Sequence, residues 1–293
     1  MKITDVKTVL LTGPCTDDPY LKGLRRLRSV ALIEVHTNTE HTGIGETYAG
    51  YFCPEVVPEI VEFYKPILVG VDLEKTDIHT LWQRMFISGN YWGRVGLGPA
   101  VLSGVEAALW DLKGKMWGLP VYELLGGRCH ERLLAYATGA ISNWPPERLR
   151  EKVDFYLSLG FHGFKVATGY YDDVIKVNRT ATTLSQVVEQ EGSKAEMLRA
   201  HVGPEVRVLL DGHMGNPLGD PWDVSTAKAV LQAVEPYDIF FFEEPLPYTD
   251  PWGYAELRRA TSVPIAGGEC LSTLNEFRQY ADLDALTIAQ PDA

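Results

Sequence analysis

The N-terminal part of the chain has the hydrophobic pattern of an antiparallel sheet followed by helices. Apolar and polar residues alternate over residues 3–11 and 30–36, which predicts two half-buried strands, and residues 43–48 form a candidate third strand. Helical periodicity follows over residues 54–68, 77–85 and 99–117. We therefore predict an N-terminal α+β domain over residues 1–128.

From about residue 129 the pattern changes to short apolar strands that alternate with helical segments. The predicted strands cover residues 133–136, 163–166, 206–211, 239–243, 263–266 and 285–290. The polar region after the second strand, which runs to about residue 200, is predicted to be helical. This rhythm is typical of a parallel sheet in an α/β fold and indicates a (β/α) barrel domain over residues 129–293. Because a closed barrel needs eight strands, the sheet is either open or a TIM-like barrel truncated after strand 6.

Three of the predicted strands lead into an acidic residue: Asp211, Glu243 and Glu269. The carboxyl ends of parallel strands meet at one edge of a sheet, so the three carboxylates are expected to converge there. Converging carboxylates repel one another unless a cation lies between them, and oxygen ligands favour a hard divalent ion, Mg2+ first. The alternative is that each acid caps the next helix or forms a separate salt bridge.

Two further polar residues stand at the same predicted strand ends. His213 lies two residues after Asp211, and alternate residues of an extended segment share a face, so it is expected to point into the same cavity as an acid or a ligand. Lys165 is expected to direct its charge to a substrate carboxylate. The alternatives are an exposed loop histidine and a surface lysine. Glu244 follows Glu243 directly and is expected to point away from the metal.

Composition and charge narrow the classes of function. The formal net charge of −12 over 293 residues argues against a nucleic-acid partner, which needs basic patches. The four cysteines form no CxxC pair and fit a reducing compartment, and neither a secretory signal nor an apolar run of transmembrane length is evident. We therefore expect a cytoplasmic protein that has no membrane partner. A small-molecule carboxylate as substrate and a homo-oligomeric state are further expectations.

Several motifs carry a resemblance to a known family. Ser-Gly-Val-Glu-Ala-Ala-Leu-Trp-Asp-Leu-Lys-Gly-Lys at residues 103–115, followed by Leu-Pro-Val-Tyr-Glu-Leu-Leu-Gly-Gly at 119–127, resembles the mandelate racemase/muconate lactonizing enzyme group of the enolase superfamily. Phe-Glu-Glu-Pro at 242–245 and Gly-Glu at 268–269 are similar to its second and third metal-ligand strands. The resemblance implies a capping domain, a modified (β/α) barrel and Mg2+. It also implies two capping loops, near residues 13–23 and 48–53, that close over the site.

The resemblance also implies a chemistry, the removal of a proton next to a carboxylate, with the metal and Lys165 stabilising the resulting enediolate. Many relatives carry Lys-x-Lys where this chain has Lys-Val-Ala at 165–167, so a two-base racemase is not expected. Asp-Gly-His at 211–213 resembles galactonate-type dehydratases, in which the histidine protonates the departing hydroxide. Asp292 matches the aspartate of the family's His–Asp dyad, whose histidine would lie on a seventh strand.

The expected function is that of a Mg2+-dependent hydro-lyase that dehydrates an aldonate or aldarate to a 2-keto-3-deoxy acid. The expected catalytic residues are Lys165, His213 and Asp292, and the expected metal ligands are Asp211, Glu243 and Glu269. The alternatives are a one-base cycloisomerase or epimerase with the same metal site, and a non-catalytic acid-binding protein. Residues 1–293 alone are expected to be poorly stable and inactive, because a barrel without its last two strands has unpaired edges.

Overall fold

The chain forms two structural units, with the boundary between Leu133 and Leu134. The computed structural model describes residues 1–14, 27–138, 144–172, 177–179, 183–215 and 221–292. Each unit has its own hydrophobic core. None of the helices in the described part of the chain is both long and apolar enough to cross a membrane.

The first unit packs helices against an antiparallel sheet of three strands in the order β1–β2–β3. The strands are β1 (Ile3–Pro14), β2 (Leu27–Thr37) and β3 (Thr42–Thr47). The helices are α1 (Ala49–Phe52), α2 (Val57–Leu68), α3 (Ile78–Ser88), α4 (Leu97–Trp117) and α5 (Val121–Leu124). Alternate residues of β2 are buried in the core, as the sequence pattern predicts. The predicted α+β character of this part of the chain is confirmed.

Helix α4 approaches strand β3 closely because two residues of the strand lack side chains. A Cβ atom on Gly43 would overlap the carbonyl oxygen of Ala108, and one on Gly45 would overlap that of Gly104. The helix also caps the free edge of the strand, since Asp111 Oδ2 accepts a hydrogen bond from the Ile44 amide at 2.8 Å. This close backbone contact holds the sheet and the longest helix of the first unit together.

We expect Gly45→Ala to lower the free energy of unfolding by about 1–3 kcal/mol, because the added methyl group forces α4 and β3 apart. Denaturant unfolding of the variant measures the loss. Gly13→Ala in β1 is the matched control, because no described atom lies within 4 Å of its added Cβ. Equal stability of the two variants would contradict a close contact between α4 and β3.

The second unit contains a parallel sheet of five strands, β4 (Gly163–Ala167), β7 (Arg207–Asp211), β8 (Ile239–Glu243), β9 (Ile265–Gly267) and β10 (Ile288–Ala289), paired in that order. A hairpin of β5 (Tyr170–Asp172) and β6 (Val177–Arg179) follows β4. The helices are α6 (Pro146–Ser158), α7 (Leu184–Val202), α8 (Val224–Val234), α9 (Pro251–Ala260) and α10 (Leu274–Asp282). The predicted parallel sheet with alternating helices is confirmed.

The prediction of a strand over residues 133–136 is wrong. Among residues 133–138, the described part of this segment, only Ala137 pairs with the sheet, through an isolated bridge to Phe164 in β4. Leu133 and Leu134 are about four-fifths exposed, at 81% and 79%, so their apolar side chains do not mark a buried strand. A short apolar run forms a strand only where its backbone pairs with a neighbouring strand. Here the pairing is limited to one residue, Ala137.

The prediction of helix directly after β4 is also wrong. The chain first forms the β5–β6 hairpin, and α7 begins only at Leu184. The helix starts there because the side chain of Thr183 accepts a hydrogen bond from the Gln186 amide and so caps the first turn. Three later helices start in the same way, at the side chains of Asp223, Asp250 and Thr273.

Arg199, near the end of α7, holds the amino-terminal ends of two neighbouring strands, β7 and β8. Its guanidinium donates to the carbonyl of Val206 at 2.8 Å, just before β7, and to that of Asp238 at 2.6 Å, just before β8. It also donates to the carbonyls of Gly203 and Tyr237. One rigid guanidinium therefore holds the starts of β7 and β8 side by side.

Candidate active site

Strand alternation brings three polar side chains above a small inner cluster of the parallel sheet. The cluster consists of Leu209, Phe241 and Ala266 with Ile288 against them. Asp211 and Glu243 lie two residues after Leu209 and Phe241 on β7 and β8. Gln290 lies two residues after Ile288, just beyond the end of β10. Alternate residues of a strand share a face, so these three side chains extend the inner face at the carboxyl edge of the sheet.

Lys165 joins this group from the neighbouring strand. It pairs in register with Leu209, one pleat below Asp211, and its long side chain extends towards the strand ends. The Nζ atom lies 2.6 Å from Glu243 Oε2 and 3.1 Å from Asp211 Oδ2. The Lys165 side chain is only 12% exposed, so the surface-lysine alternative is wrong.

The charges of this group keep Lys165 protonated. Burial alone would lower its pKa, but the carboxylates of Asp211 and Glu243 outweigh that effect and raise the pKa above its ordinary value. Burial also raises the pKa of Glu243, and the charge of Asp211 raises it further, while Lys165 and Gln290 lower it. One ammonium therefore faces two carboxylates, and the edge retains an attraction for additional positive charge.

His213 lies beside this pair with a largely accessible ring. Its backbone amide donates to Asp211 Oδ1 at 2.9 Å, and its Nδ1 atom lies 3.9 Å from the same oxygen. Its φ angle of 53° is left-handed, so the segment is not extended as the sequence argument assumed. The turn nevertheless leaves the imidazole next to Asp211, with its side chain 43% exposed and able to meet a ligand.

Glu244 points to a different set of partners from those of Glu243. Its Oε2 atom accepts from the Gly215 amide at 3.2 Å, and its carbonyl accepts from the Met214 amide at 3.2 Å. Burial raises the pKa of Glu244 to about 7, with smaller contributions from Asp211 and Glu269. Glu244 therefore supports the loop after β7, and its position away from a metal ion stays a prediction.

Glu269 follows β9 by two residues, after Gly268, whose φ angle is 123°. Its charge contributes to the raised pKa values of Glu244 and Cys270, which places it on the Glu244 side of the strand ends. Among the residues that the structure describes, no three His, Cys, Asp or Glu side chains stand close enough to hold a metal ion. The site of three carboxylates therefore stays a prediction.

The chemistry of the available oxygen donors nevertheless fits a hard cation. Asp211 and Glu243 already share one positive charge, the ammonium of Lys165, within 3.1 Å of both. Two buried carboxylates therefore face a single ammonium, which leaves an excess of negative charge at this edge. Carboxylate oxygens with excess negative charge are the ligands that Mg2+ prefers.

Two other predicted features are not brought into this group. Asp292 is exposed at the end of the described chain, and its role in a dyad stays a prediction. Of the two predicted capping loops, residues 15–23 lie outside the described residues. Residues 48–53 contain the short helix α1 in the first unit, where the rings of Tyr51 and Phe52 meet edge to face at 4.8 Å.

Sequence reasoning missed Gln290 and Tyr136. Gln290 Nε2 donates to Glu243 Oε2 at 2.8 Å. The Tyr136 ring packs edge to face on Phe241 at 5.9 Å, and burial raises the pKa of its hydroxyl, which also experiences the charges of Lys165 and Glu243. The signal for Gln290 was its place two residues after Ile288, which a search restricted to charged residues overlooks.

A buried ion pair fixes the chain where it leaves β4. Lys194 Nζ donates to the carbonyls of Ala167 at 3.0 Å and Gly169 at 2.7 Å, and to Glu191 Oε2 at 3.0 Å. Glu191 Oε1 in turn accepts from the Gly169 amide at 2.8 Å. Helix α7 thereby holds the strand end that carries Lys165.

We expect Lys165→Met to lower the free energy of unfolding by about 3–5 kcal/mol at about pH 8, because it leaves two buried carboxylates without their cation. The loss should shrink at about pH 5, since the further raised pKa of Glu243 lets that group take up a proton and remove the repulsion. Denaturant unfolding in a chelating buffer at both pH values measures the loss of free energy of unfolding.

Lys7→Met is the control for the Lys165 experiment. Lys7 lies 3.8 Å from Asp5 with its side chain 58% exposed, so its removal should cost no more than about 1 kcal/mol at either pH. A loss in Lys165→Met that is the same at both pH values would contradict the electrostatic explanation.

Comparison with protein families and known proteins identifies the family of this chain. Residues 22–126 match the model described as "Mandelate racemase / muconate lactonizing enzyme, N-terminal domain", and residues 148–293 match "Enolase C-terminal domain-like". The chain is 31% identical to an arabinonate dehydratase of Saccharolobus solfataricus over 99% of its own length and 73% of the relative's.

Two further similarities concern other reactions. The chain is 29% identical to a D-galactarolactone cycloisomerase of Agrobacterium fabrum, over 100% of this chain and 71% of the relative. The crystal structure of a racemase from Streptomyces coelicolor with bound magnesium superposes with a TM-score of 0.82 at 28% identity, covering 99% of this chain and 75% of the other.

Proposed function

Because the chain belongs to the mandelate racemase/muconate lactonizing enzyme group of the enolase superfamily, we propose that it dehydrates a sugar acid, an aldonate or aldarate, to a 2-keto-3-deoxy acid. The observation that carries the proposal is the buried Lys165 ammonium at the strand ends, with the His213 imidazole beside it. The first provides positive charge for a carboxylate, and the second provides a proton for a leaving group. The similarity to an arabinonate dehydratase supports the choice of reaction.

Each residue has a distinct task in this reaction. When a base takes the proton from C2 of the substrate, negative charge builds up on the carboxylate, and the Lys165 ammonium stabilises it from a site where little water screens it. The bond from C3 to its hydroxyl then breaks, and His213 donates the proton that turns the departing hydroxide into water. The enol that remains tautomerises to the 2-keto acid. Asp292 is proposed to orient the histidine base of a His–Asp dyad.

A divalent ion, Mg2+, is part of this proposal. Asp211, Glu243 and Glu269 are the residues that would hold it. When bound, the ion would supply further positive charge for the carboxylate of the substrate. The bound magnesium in the related Streptomyces coelicolor racemase supports this choice. The cytoplasmic location and the homo-oligomeric state expected from the sequence stay predictions.

The second candidate function is a cycloisomerase or one-base epimerase with the same site. The similarity to a D-galactarolactone cycloisomerase favours it. Both candidates begin with removal of the proton next to the carboxylate, and they differ in which bond then changes. The third alternative, a protein that binds acids without turnover, predicts metal and ligand binding with no product.

We expect the full-length protein to convert at least one member of a panel of aldonates and aldarates in the presence of Mg2+, with a 2-keto-3-deoxy acid as product. The products are identified by mass spectrometry and by reaction of the 2-keto group with semicarbazide. Loss of one water from the substrate distinguishes dehydration from cycloisomerisation and epimerisation, which leave the mass unchanged. Turnover of an acid without loss of water would favour the second candidate.

We expect His213→Asn to lower the rate of dehydration by about 10²- to 10⁴-fold and to retain exchange of the C2 hydrogen with deuterated solvent. The reason is that His213 acts on the leaving group after the C2 proton has been removed. His162→Asn, at an exposed position just before β4, is the matched control and should change neither rate. Loss of both rates in His213→Asn with Mg2+ binding intact would contradict this division of tasks.

A further inference from the structure

The two oxygens of the Glu243 carboxylate have different surroundings. Oε2 accepts one hydrogen bond from Lys165 Nζ at 2.6 Å and a second from Gln290 Nε2 at 2.8 Å. Within the described part of the chain, no hydrogen bond ends on Oε1. The side chain is 3% exposed, so the carboxylate has little solvent to replace a missing partner. The protein therefore donates two hydrogen bonds to the same oxygen, Oε2.

Gln290 is held in place by its own backbone. The backbone amide of Gln290 donates to the carbonyl of Gly267 at 2.9 Å and so continues the pairing of β10 with β9 by one residue. The side-chain amide is also close enough to Tyr136 to affect the pKa of that hydroxyl, which burial raises. A donor anchored in this way defines where Glu243 Oε2 lies.

The chemistry of a neutral donor matters at this position. A hydrogen bond to a carboxylate is strong because the acceptor is charged, yet an amide adds no charge of its own. A lysine or arginine in place of Gln290 would compensate the remaining negative charge of Asp211 and Glu243. The amide fixes the carboxylate and preserves its attraction for a cation.

The oxygen end of the amide does not account for its orientation. Gln290 Oε1 is buried and has no hydrogen-bond partner among the described residues. A buried acceptor without a partner is unfavourable, and a glutamine that only fills space would be expected to satisfy both ends. The side chain instead places its donor on Glu243.

We propose that Gln290 is a positioning residue that holds Glu243 Oε2 against Lys165 and leaves Oε1 as the oxygen with which Glu243 binds the divalent ion. The inference rests on the proposed function for the presence of that ion, and it adds a residue and a division between the two oxygens. Residues that orient a metal ligand in this way typically contribute about 10- to 100-fold to metal affinity.

Calorimetric titration of the metal-free protein with Mg2+ tests the proposal without requiring turnover. Gln290→Met keeps the length of the side chain and removes the donor, and it should weaken Mg2+ binding by about 10-fold or more. Thermal unfolding without metal should still be cooperative, at a temperature lowered by the loss of one hydrogen bond, and excess Mg2+ should restore turnover. Gln83→Met, an exposed position on α3, is the matched control and should bind Mg2+ as the wild type does.

Mg2+ binding by Gln290→Met at wild-type affinity would overturn the inference, as would absence of binding by the wild type. If Gln290→Met fails to fold, Gln290→Asn replaces it, because the shorter amide stays polar and cannot reach Glu243; unchanged affinity there overturns the inference equally. If the wild type binds Mg2+ but converts no sugar acid, the proposed function fails while the role of Gln290 is still measured.

Discussion

A single buried ammonium determines how negative charge can be kept at the carboxyl edge of the parallel sheet. Lys165 contacts both Asp211 and Glu243, and without it two carboxylates would be buried side by side. Isolated charges in such surroundings are strongly disfavoured, so the strand ends could not stay ionised. The compensation is incomplete, since one positive charge faces two negative ones. That imbalance leaves the edge with an attraction for a further positive charge.

Backbone geometry sets up this charge arrangement. Register between β4 and β7 places Lys165 one pleat below Asp211, so only a long side chain can reach the carboxylates. Arg199 fixes the starts of β7 and β8, and the ion pair of Glu191 and Lys194 fixes the chain after β4. These contacts lie outside the candidate site, yet they hold the strands on which its side chains stand. The site is therefore a property of the whole sheet and its surrounding helices.

Much of this arrangement can be predicted from the sequence because it depends on local patterns. Alternation of strands and helices gives the parallel sheet, and acids at strand ends give Asp211 and Glu243. Gln290 was missed because it is neutral, and its importance comes from a partner 47 residues away. The left-handed turn at His213 and the hairpin after β4 were missed because neither follows from a hydrophobic period. Long-range pairing and backbone conformation decide these features, and the local pattern of a single sequence carries little information about either.

The span of chain that the site brings together has a kinetic consequence. Lys165 and Glu243 are 78 residues apart in sequence, and the contacts of Lys165 with Asp211 and Glu243 join residues from different strands. Contacts between distant residues form late, because the entropy of closing the intervening chain must be lost before they contribute. The ammonium and carboxylates therefore meet only after β4, β7 and β8 have paired. Until then each charged group stays hydrated, and no free energy of desolvation opposes the collapse of the chain. The folding of this unit is therefore separated in time from the burial of its charges.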